Sequence, residues 1–295
     1  MKNNAIDQLM KGSIDFHVHV DPDPFHDRPL DALDLSLQAK ETGMRAIVIK
    51  CHHLGTAPIA YIVNKINPDF LLIGSLTLNS AVGGLNPEVV EVAAKAGTKV
   101  IWMPTYSSSV DTKRRMKEPS AFISPTKTAS KEGISIIDED GKLVPQIAPI
   151  LEIIKDNNIV LSTGHLSVPE IYALVTEARR MQIKVNVTHP LTPIVGSTLT
   201  ADQQKELVSK GAYIEHCFSA CTPLLGNLNP AVLVEHIKAV GAEHCILATD
   251  LGQDFNPVPP GGFRVMLASM LKSGLSESEL EVMVKLNPAK LLHLD

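Results

Sequence analysis

The stretch Asp15-Phe16-His17-Val18-His19-Val20-Asp21 is the starting point for interpreting the whole chain. It lies in an apolar run, residues 13–20, which predicts a strand near the start of the sequence. Side chains two residues apart on a strand point to the same face, so His17 and His19 lie side by side. Two imidazoles on one face, next to carboxylates, form half of a metal site. The other ligands must come from later in the chain.

Short segments rich in Val and Ile recur along the chain, and most are followed by a helical segment. Helices that end at Gly43, Gly97, Gly211 and Gly241 lead directly into the next strand. Continuous apolar strands of this kind are typical of a buried parallel sheet. Eight such units predict an α/β fold, a closed (β/α)8 TIM barrel, as a single domain over residues 1–295. The predicted strands are residues 13–20, 45–51, 70–78, 99–103, 159–163, 184–188, 212–217 and 245–249.

The alternation is interrupted by an insertion at about residues 105–145, after the fourth strand. Within it, Asp138-Glu139-Asp140-Gly141 between two apolar runs predicts a β-hairpin. Long insertions of this kind are typical of functional loops or lids. The pair Arg114-Arg115 is expected on a solvated loop face, with binding of an anionic substrate group as the alternative. An open doubly wound sheet is the alternative fold, but its Gly-rich phosphate motif is missing after the first strand.

Composition and charge narrow the range of functions. The 295 residues are 44% hydrophobic and 20% charged, which is typical of a soluble globular protein. A net charge of −5 without a long basic run disfavours nucleic acid as a partner. The four cysteines lack the spacing of a disulfide framework, which indicates a reducing compartment. No signal-peptide pattern or long apolar stretch is found, so we expect a cytoplasmic protein that does not contact membranes.

Histidines are concentrated where predicted strands end, and Asp250 ends the last strand. In a parallel barrel, the C-terminal ends of the strands meet on one rim, which is where catalytic groups gather. Imidazole and carboxylate ligands together suit zinc, iron, manganese or nickel better than calcium or magnesium. Such an ion lowers the pKa of bound water to about 7, and a nearby carboxylate can take the proton. The histidines at strand ends are His17, His19, His52, His53, His165, His189 and His216.

This arrangement, with the closing Asn287-Pro288-Ala289 and two leucines, resembles the amidohydrolase superfamily of metal-dependent barrel hydrolases over nearly the whole chain. The resemblance implies one or two divalent transition-metal ions, with zinc first and iron, manganese or nickel as alternatives. It also implies a base for the metal-bound water at Asp250, and, in single-metal members, a water-orienting role for His189. The resemblance is also compatible with a homo-oligomer. The implied metal ligands are His17, His19, His165, His189 and Asp250.

The fourth strand departs from the pattern of the superfamily. Binuclear members carry a carboxylated lysine or a glutamate there, whereas this strand ends in Trp102-Met103-Pro104-Thr105. Lys50, at the end of the second strand, is the nearest substitute. It could be carboxylated, bind substrate or place a positive charge, because a lysine that ends a buried strand needs a partner. Glu215 at strand 7 is the other candidate.

Several of these residues also have a purely structural interpretation. His52 and His53 are adjacent, so at most one of them is expected to face the site. His216 is equally expected in the site and in the core. For Glu215, a functional and a structural role are equally expected. Cys217 and Cys221 are expected to be buried thiols.

The sequence predicts a metal-dependent hydrolase that cleaves an amide, cyclic amide or lactone bond of a small molecule, with Asp250 and Lys50 acting on the substrate. Phosphoester hydrolysis or non-oxidative decarboxylation on the same ligand set is an alternative. A non-catalytic binding protein on the same barrel is a third possibility, because fold does not fix function.

Overall fold

The computed structural model describes residues 2–118 and 130–294, and it has the predicted α/β barrel architecture of parallel strands and surrounding helices. The strands are β1 (Ile14–His19), β2 (Ala46–Lys50), β3 (Leu71–Ile73), β4 (Ser75–Thr77), β5 (Val100–Trp102), β6 (Val160–Ser162), β7 (Val185–Val187), β8 (Tyr213–Cys217) and β9 (Cys245–Ala248). The helices are α1 (Lys2–Met10), α2 (Ala32–Glu41), α3 (Ala57–Ile66), α4 (Pro87–Lys95), α5 (Ser109–Lys117), α6 (Ile147–Asp156), α7 (Val168–Arg180), α8 (Ala201–Ser209), α9 (Pro230–Val240), α10 (Pro259–Lys272), α11 (Glu277–Glu281) and α12 (Asn287–Leu292).

Neighbouring strands pair in parallel and in chain order, β1-β2-β3 and then β4 through β9. The first and last strands meet through two backbone hydrogen bonds of 2.8 Å, from the His19 N–H to the Leu251 carbonyl and from the Asp250 N–H to the His17 carbonyl. Three of the predicted metal ligands, His17, His19 and Asp250, therefore belong to residues whose backbone groups join the two ends of the sheet.

The predicted third strand is divided at Gly74 into β3 and β4. Gly74 lies against the start of α3: a Cβ atom at this position would be 2.3 Å from the Cα atom of Ala57 and 2.6 Å from its nitrogen. The Gly74 carbonyl still accepts a hydrogen bond of 3.0 Å from Lys99, so the two halves continue one barrel strand. With β3 and β4 counted together, the barrel has the eight strands that the sequence predicts.

Two layers of apolar side chains surround the strands. One cluster joins residues from both ends of the strand order, for example Phe16, Val48, Trp102 and Ile246, and therefore fills the inside of the barrel. Residues of the opposite parity pack outward against the helices. Helix α12 contributes to the inner cluster, and Asn287 at its start donates to the carbonyls of Ala242 and Cys245.

A shift in register between Asp15 and Val18 marks a β-bulge in β1. Without it, Phe16 and His17 would face opposite sides of the sheet. Instead the Phe16 ring packs edge-on to Trp102, with centroids 6.4 Å apart, and the His17 ring also lies 5.3 Å from Trp102. The bulge turns the His-x-His pair into the barrel, which is a common use of bulges near functional sites.

The predicted insertion contains more regular structure than the sequence indicated. The hairpin is present, because Ile137 and Leu143 form an antiparallel bridge and the Asp138 N–H donates to the Lys142 carbonyl at 2.9 Å. Helix α5 was not predicted, nor was α1 at the N-terminus. Residues 119–129 of the insertion lie outside the described residues. None of the helices in the described ranges has the length and apolar character needed to cross a membrane.

The close approach at Gly74 predicts a specific loss of stability. Gly74→Ala places a methyl group into the backbone of α3, so we expect the free energy of unfolding to fall by about 3 kcal/mol, the upper end of the usual cost of overpacking. Gly261→Ala is the control, since its new Cβ would make only an ordinary contact of 3.7 Å with Val258 and should change stability by less than about 1 kcal/mol. Urea unfolding measures both, and equal stability of the two variants would contradict the packing argument.

Candidate active site

The centre of the site is the His17 imidazole, which the bulge in β1 turns into the barrel. Its Nδ1 atom lies 2.7 Å from Glu215 Oε1, and its Nε2 atom lies 3.2 Å from Asp250 Oδ1. The Lys50 ammonium nitrogen is 3.0 Å from the same Nε2 atom. Burial lowers the pKa of His17 to about 3, so the ring is neutral at physiological pH.

Asp250 binds both histidines of the His-x-His pair. The same oxygen, Oδ1, lies 3.1 Å from His19 Nε2, while Oδ2 accepts a hydrogen bond of 2.9 Å from Ser219. Burial alone would raise the pKa of Asp250, but the adjacent His17 and His19 hold it well below its usual value. The backbone of Asp250 has a φ of 53°, a left-handed conformation that is uncommon for a non-glycine residue. Such strain is found preferentially at functional sites.

Glu215 fixes the orientation of His17 and lies fully inside the barrel. Its second oxygen accepts from the Asn186 side chain, and Cys217 Sγ lies 3.3 Å from Oε1. Burial raises the pKa of Glu215. Because the Glu215 carboxylate accepts the proton of His17 Nδ1, the lone pair of His17 is on Nε2, directed toward Asp250. Glu215 therefore orients the His17 ring.

A second histidine pair lies on the opposite wall of the cavity. His165 Nε2 and His189 Nε2 are 3.1 Å apart, and the His189 ring stacks at 5.9 Å from that of His17. Burial lowers the pKa of His189 to about 3. His189, like Asp250, has a positive φ, 26°. Four of the five residues predicted as metal ligands thus line one cavity, and the fifth, His17, lies directly against Asp250 and His189.

The most important residue that sequence reasoning missed is Asp111, on helix α5 of the insertion. Its Oδ2 atom forms a short contact with His165 Nδ1, and its Oδ1 atom accepts a hydrogen bond of 2.8 Å from the Gly196 N–H. Burial alone would raise the pKa of Asp111, but His165 and the Gly196 N–H hold it below its usual value. A signal was present: Ser108 caps α5 and Asp111 is three residues later, which is the spacing of a capping motif.

His52 and His53 lie beyond the end of β2, and they point in different directions, so only one of them faces the site. His52 Nδ1 lies 2.8 Å from Thr105 Oγ1, and its ring stacks between His19 at 4.8 Å and Tyr106 at 3.7 Å. Burial lowers the pKa of His52 well below its usual value. His53 instead lies beside Phe25, with ring centroids 4.3 Å apart, away from the His17 centre.

One expectation about polar residues is corrected by the structure, and one alternative that the sequence left open is decided. Arg114 and Arg115 are not on a solvated loop: they lie on α5, where Arg114 binds the Gly196 carbonyl at 2.7 Å and Arg115 binds the Tyr106 carbonyl. His216 does not line the site, because Glu215 and Cys217 on either side of it face the barrel interior and His216 therefore faces outward. It is fully buried there, near His236, and burial lowers its pKa to about 3.

Two connected cavities lead to these residues. An inner cavity of about 50 Å³ is bounded by Lys50, His52, His165, His189 and Asp250, among others. An outer chamber of about 300 Å³ opens above it, with the rings of Phe25 and Phe255 and the Arg28 guanidinium in its wall. The two share His19, Tyr106, Leu225 and Gln253. The combined space suits a small molecule with one end at the His17 centre.

The donor set fits a transition-metal ion. His17, His19 and Asp250 place two nitrogen atoms and one oxygen atom within 4.8 Å of one another, all buried. Both imidazoles are neutral, which is the form that binds metals. The contact of Glu215 with His17, and that of Asp111 with His165, are the carboxylate–histidine pairs that usually orient such ligands. Imidazole with carboxylate is a set that suits zinc and its neighbours in the periodic table.

Asp111 gives a direct test of this geometry. Replacing it by Asn removes the charge that holds the His165 proton on Nδ1, so we expect zinc affinity to fall about 10–100-fold, as is usual for loss of such a partner. Asp140→Asn, on the exposed hairpin turn, is the control and should leave affinity unchanged. Competition with a chelating dye measures both. Unchanged zinc binding in Asp111→Asn would show that His165 is not part of the metal site.

Comparisons with known proteins agree with this fold. An amidohydrolase from Pseudomonas aeruginosa is 12% identical over 98% of each chain, with a TM-score of 0.66. A probable dipeptidase from the same organism is 11% identical over 99% of this chain and 98% of its own, with a TM-score of 0.67. A 2,6-dihydroxybenzoate decarboxylase from Rhizobium is 12% identical, covering 97% of this chain and 99% of its own, with a TM-score of 0.56.

These structures confirm the predicted resemblance to the amidohydrolase superfamily at the level of the fold, and they are structures of enzymes. No curated protein matches the sequence. A family model described as a family of unknown function, DUF6282, matches residues 12–215, from β1 to β8. The chain therefore belongs to the DUF6282 family, and it has the amidohydrolase barrel fold.

Proposed function

We propose that this protein is a zinc-dependent hydrolase that cleaves an amide, cyclic amide or lactone bond of a small molecule. The observation that carries the proposal is the convergence of His17 Nε2 and His19 Nε2 on one oxygen of Asp250 at 3.1–3.2 Å, beside the inner cavity. These three side chains would hold the ion, with His165 and His189 as further ligands from the opposite wall. When bound, zinc polarises a carbonyl group and lowers the pKa of water to about 7.

Asp250 is the base in this proposal. Its carboxylate is ionised at neutral pH, because His17 and His19 hold its pKa well below the usual value. Ser219 donates to Oδ2 at 2.9 Å and so fixes the plane of the carboxylate. Asp250 takes a proton from the attacking water and later gives it to the leaving nitrogen or oxygen.

Lys50 supplies the positive charge of the inner cavity. It is 1% exposed, and burial lowers the pKa of its amine. Its nitrogen atom is 3.0 Å from His17 Nε2 and also interacts with the Trp102 ring, 5.4 Å from the centroid. An ammonium group held in this position can orient a carboxylate or carbonyl oxygen of the substrate, which is the role proposed for it here.

The proportions of the two cavities support a substrate with a small reacting end and a larger body. The inner cavity, at about 50 Å³, has room for little more than the reacting group. The outer chamber, at about 300 Å³, is lined by Phe25, Tyr106 and Phe255, whose rings suit a planar or apolar body. The decarboxylase among the solved structures shows that this fold also supports loss of carbon dioxide, so the test below includes that outcome.

Metal content is the first test. Purified protein is expected to hold zinc after gel filtration, and His17→Ala is expected to lose most of it, because the replacement removes the ligand that contacts Asp250, Lys50 and Glu215 together. His244→Ala is the matched control, since that exposed side chain directly precedes β9, at the opposite end of the strand from Asp250. Plasma mass spectrometry gives the ratio of metal to chain. Zinc retained equally by both variants would rule out the proposed centre.

Turnover is the second test. The zinc-loaded protein is assayed with an N-acyl amino acid, a hydantoin and a δ-lactone, and with 2-hydroxybenzoate for decarboxylation. Asp250→Asn removes the base while preserving the shape of the side chain, so we expect kcat to fall at least 10²-fold, within the usual range for general base catalysis. Asp140→Asn, on the exposed hairpin turn away from both cavities, is the control and should keep kcat within threefold. Turnover of the hydroxybenzoate alone would replace hydrolysis by decarboxylation.

A further inference from the structure

His52 is held by a relay of two buried side chains, Thr105 and Asn79. A carboxylate takes this place at His17 and His165. The His52 Nδ1 atom lies 2.8 Å from Thr105 Oγ1, and that hydroxyl oxygen accepts a hydrogen bond of 2.8 Å from Asn79 Nδ2. Asn79 is fixed in turn, because its Oδ1 atom accepts from the backbone N–H groups of Thr105 and Ser107. Thr105 is fully buried and Asn79 is 2% exposed.

The relay determines which nitrogen of His52 carries the proton. A buried hydroxyl group donates its hydrogen, and within the described residues the Thr105 hydroxyl group has only one acceptor in reach, His52 Nδ1. Nδ1 therefore accepts, and the proton of the neutral ring is on Nε2. His17 and His165 have the reverse arrangement, because the carboxylates of Glu215 and Asp111 accept from their Nδ1 atoms.

The position of His52 directs this proton toward the reacting group. The ring forms part of the wall of the inner cavity, with Lys50, His165 and Asp250. It stacks on His19 at 4.8 Å and on Tyr106 at 3.7 Å, with an angle of 16° between the planes of His52 and Tyr106. A ring clamped on both faces and tied at Nδ1 has little freedom to turn, so its Nε2–H is a preorganised donor.

We propose that His52 is a catalytic residue that does not bind the metal: its Nε2–H donates a hydrogen bond to the substrate oxygen on which negative charge develops. This inference rests on the proposed function and adds to it a residue whose role the sequence left open. No bond is made to His52 and its proton stays on the ring. Thr105 and Asn79 are positioning residues, which keep the donor hydrogen on the side of the cavity.

The first experiment reads the tautomer without substrate. Metal-free protein labelled with 15N-histidine is studied by long-range 1H–15N correlation spectroscopy, and the His52 signals are assigned from their loss in His52→Gln. We expect a protonated Nε2 and an unprotonated Nδ1. Thr105→Val removes the hydroxyl donor and is expected to move proton population to Nδ1. A proton on Nδ1 in the unchanged protein would overturn the proposal.

The control for the threonine replacement is Thr98→Val. Thr98 is also buried, at 2% exposed, but lies before β5, and its hydroxyl group has no hydrogen-bond partner among the described residues. Its replacement is expected to leave the His52 signals unchanged. Equal tautomer shifts in Thr98→Val and Thr105→Val would show that the relay does not control His52.

The second experiment separates a donor from a metal ligand. His52→Ala and His52→Gln are expected to bind as much zinc as the unchanged protein, whereas loss of zinc would make His52 a ligand and overturn the proposal. Acetohydroxamate, a small carbonyl compound that binds zinc, serves as the probe. Its Kd is expected to rise about tenfold in His52→Ala and less in His52→Gln, which keeps an N–H donor. An equal Kd in all three proteins would contradict the proposed hydrogen bond.

The third experiment uses whichever compound the hydrolysis assay identifies. Removal of a donor to a developing negative charge usually costs about 10²–10³ in kcat, so this loss is expected for His52→Ala with KM changed less than threefold. His52→Gln should recover at least tenfold of it. An unchanged kcat would overturn the catalytic role. Absence of turnover in the unchanged protein would count against the proposed function, while the tautomer, zinc and acetohydroxamate measurements would still decide the role of His52.

Discussion

The hydrogen bond between His17 and Glu215 is the interaction on which the rest of the site depends. It joins β1 to β8 across the inside of the barrel at 2.7 Å, and it determines which nitrogen of His17 faces Asp250. Burial raises the pKa of Glu215 and lowers that of His17, so each group needs the other to satisfy its polar atoms away from water. The β-bulge in β1 makes the contact possible, because it turns His17 inward next to Phe16.

The site histidines differ mainly in what holds their Nδ1 atoms. Carboxylates accept from Nδ1 of His17 and His165, which leaves lone pairs on the Nε2 atoms that face the cavity. A hydroxyl group donates to Nδ1 of His52, so the proton of that ring is on Nε2. In the function proposed here, one residue type thus supplies both metal ligands and a hydrogen-bond donor in a small space. The difference lies in the neighbours: Thr105 and Asp111 come from the insertion, and Glu215 comes from β8.

Much of the fold could be predicted, because the sequence patterns that indicate buried parallel strands lie within short stretches of the chain. Apolar runs, glycine helix ends and histidines that follow strands all lie within a few residues of one another, so the barrel and the rim were predictable. The division of the third strand at Gly74 was not, since it depends on the start of α3 lying within 2.3 Å of the missing Cβ. The outward orientation of His216 follows from alternation once the inward position of Glu215 is known.

The insertion is the segment whose contacts were least predictable from local sequence patterns. Its sequence is typical of a polar loop, and Arg114 was therefore predicted to be solvated. In the structure α5 brings Asp111 to His165, and Arg114 reaches the Gly196 carbonyl while Asp111 accepts the Gly196 N–H. Gly196 follows Ile194 and Val195, which line the inner cavity. Because these contacts couple the orientation of a site histidine to the wall beside the reacting group, a change in the insertion alters both the chemistry and the shape of the site.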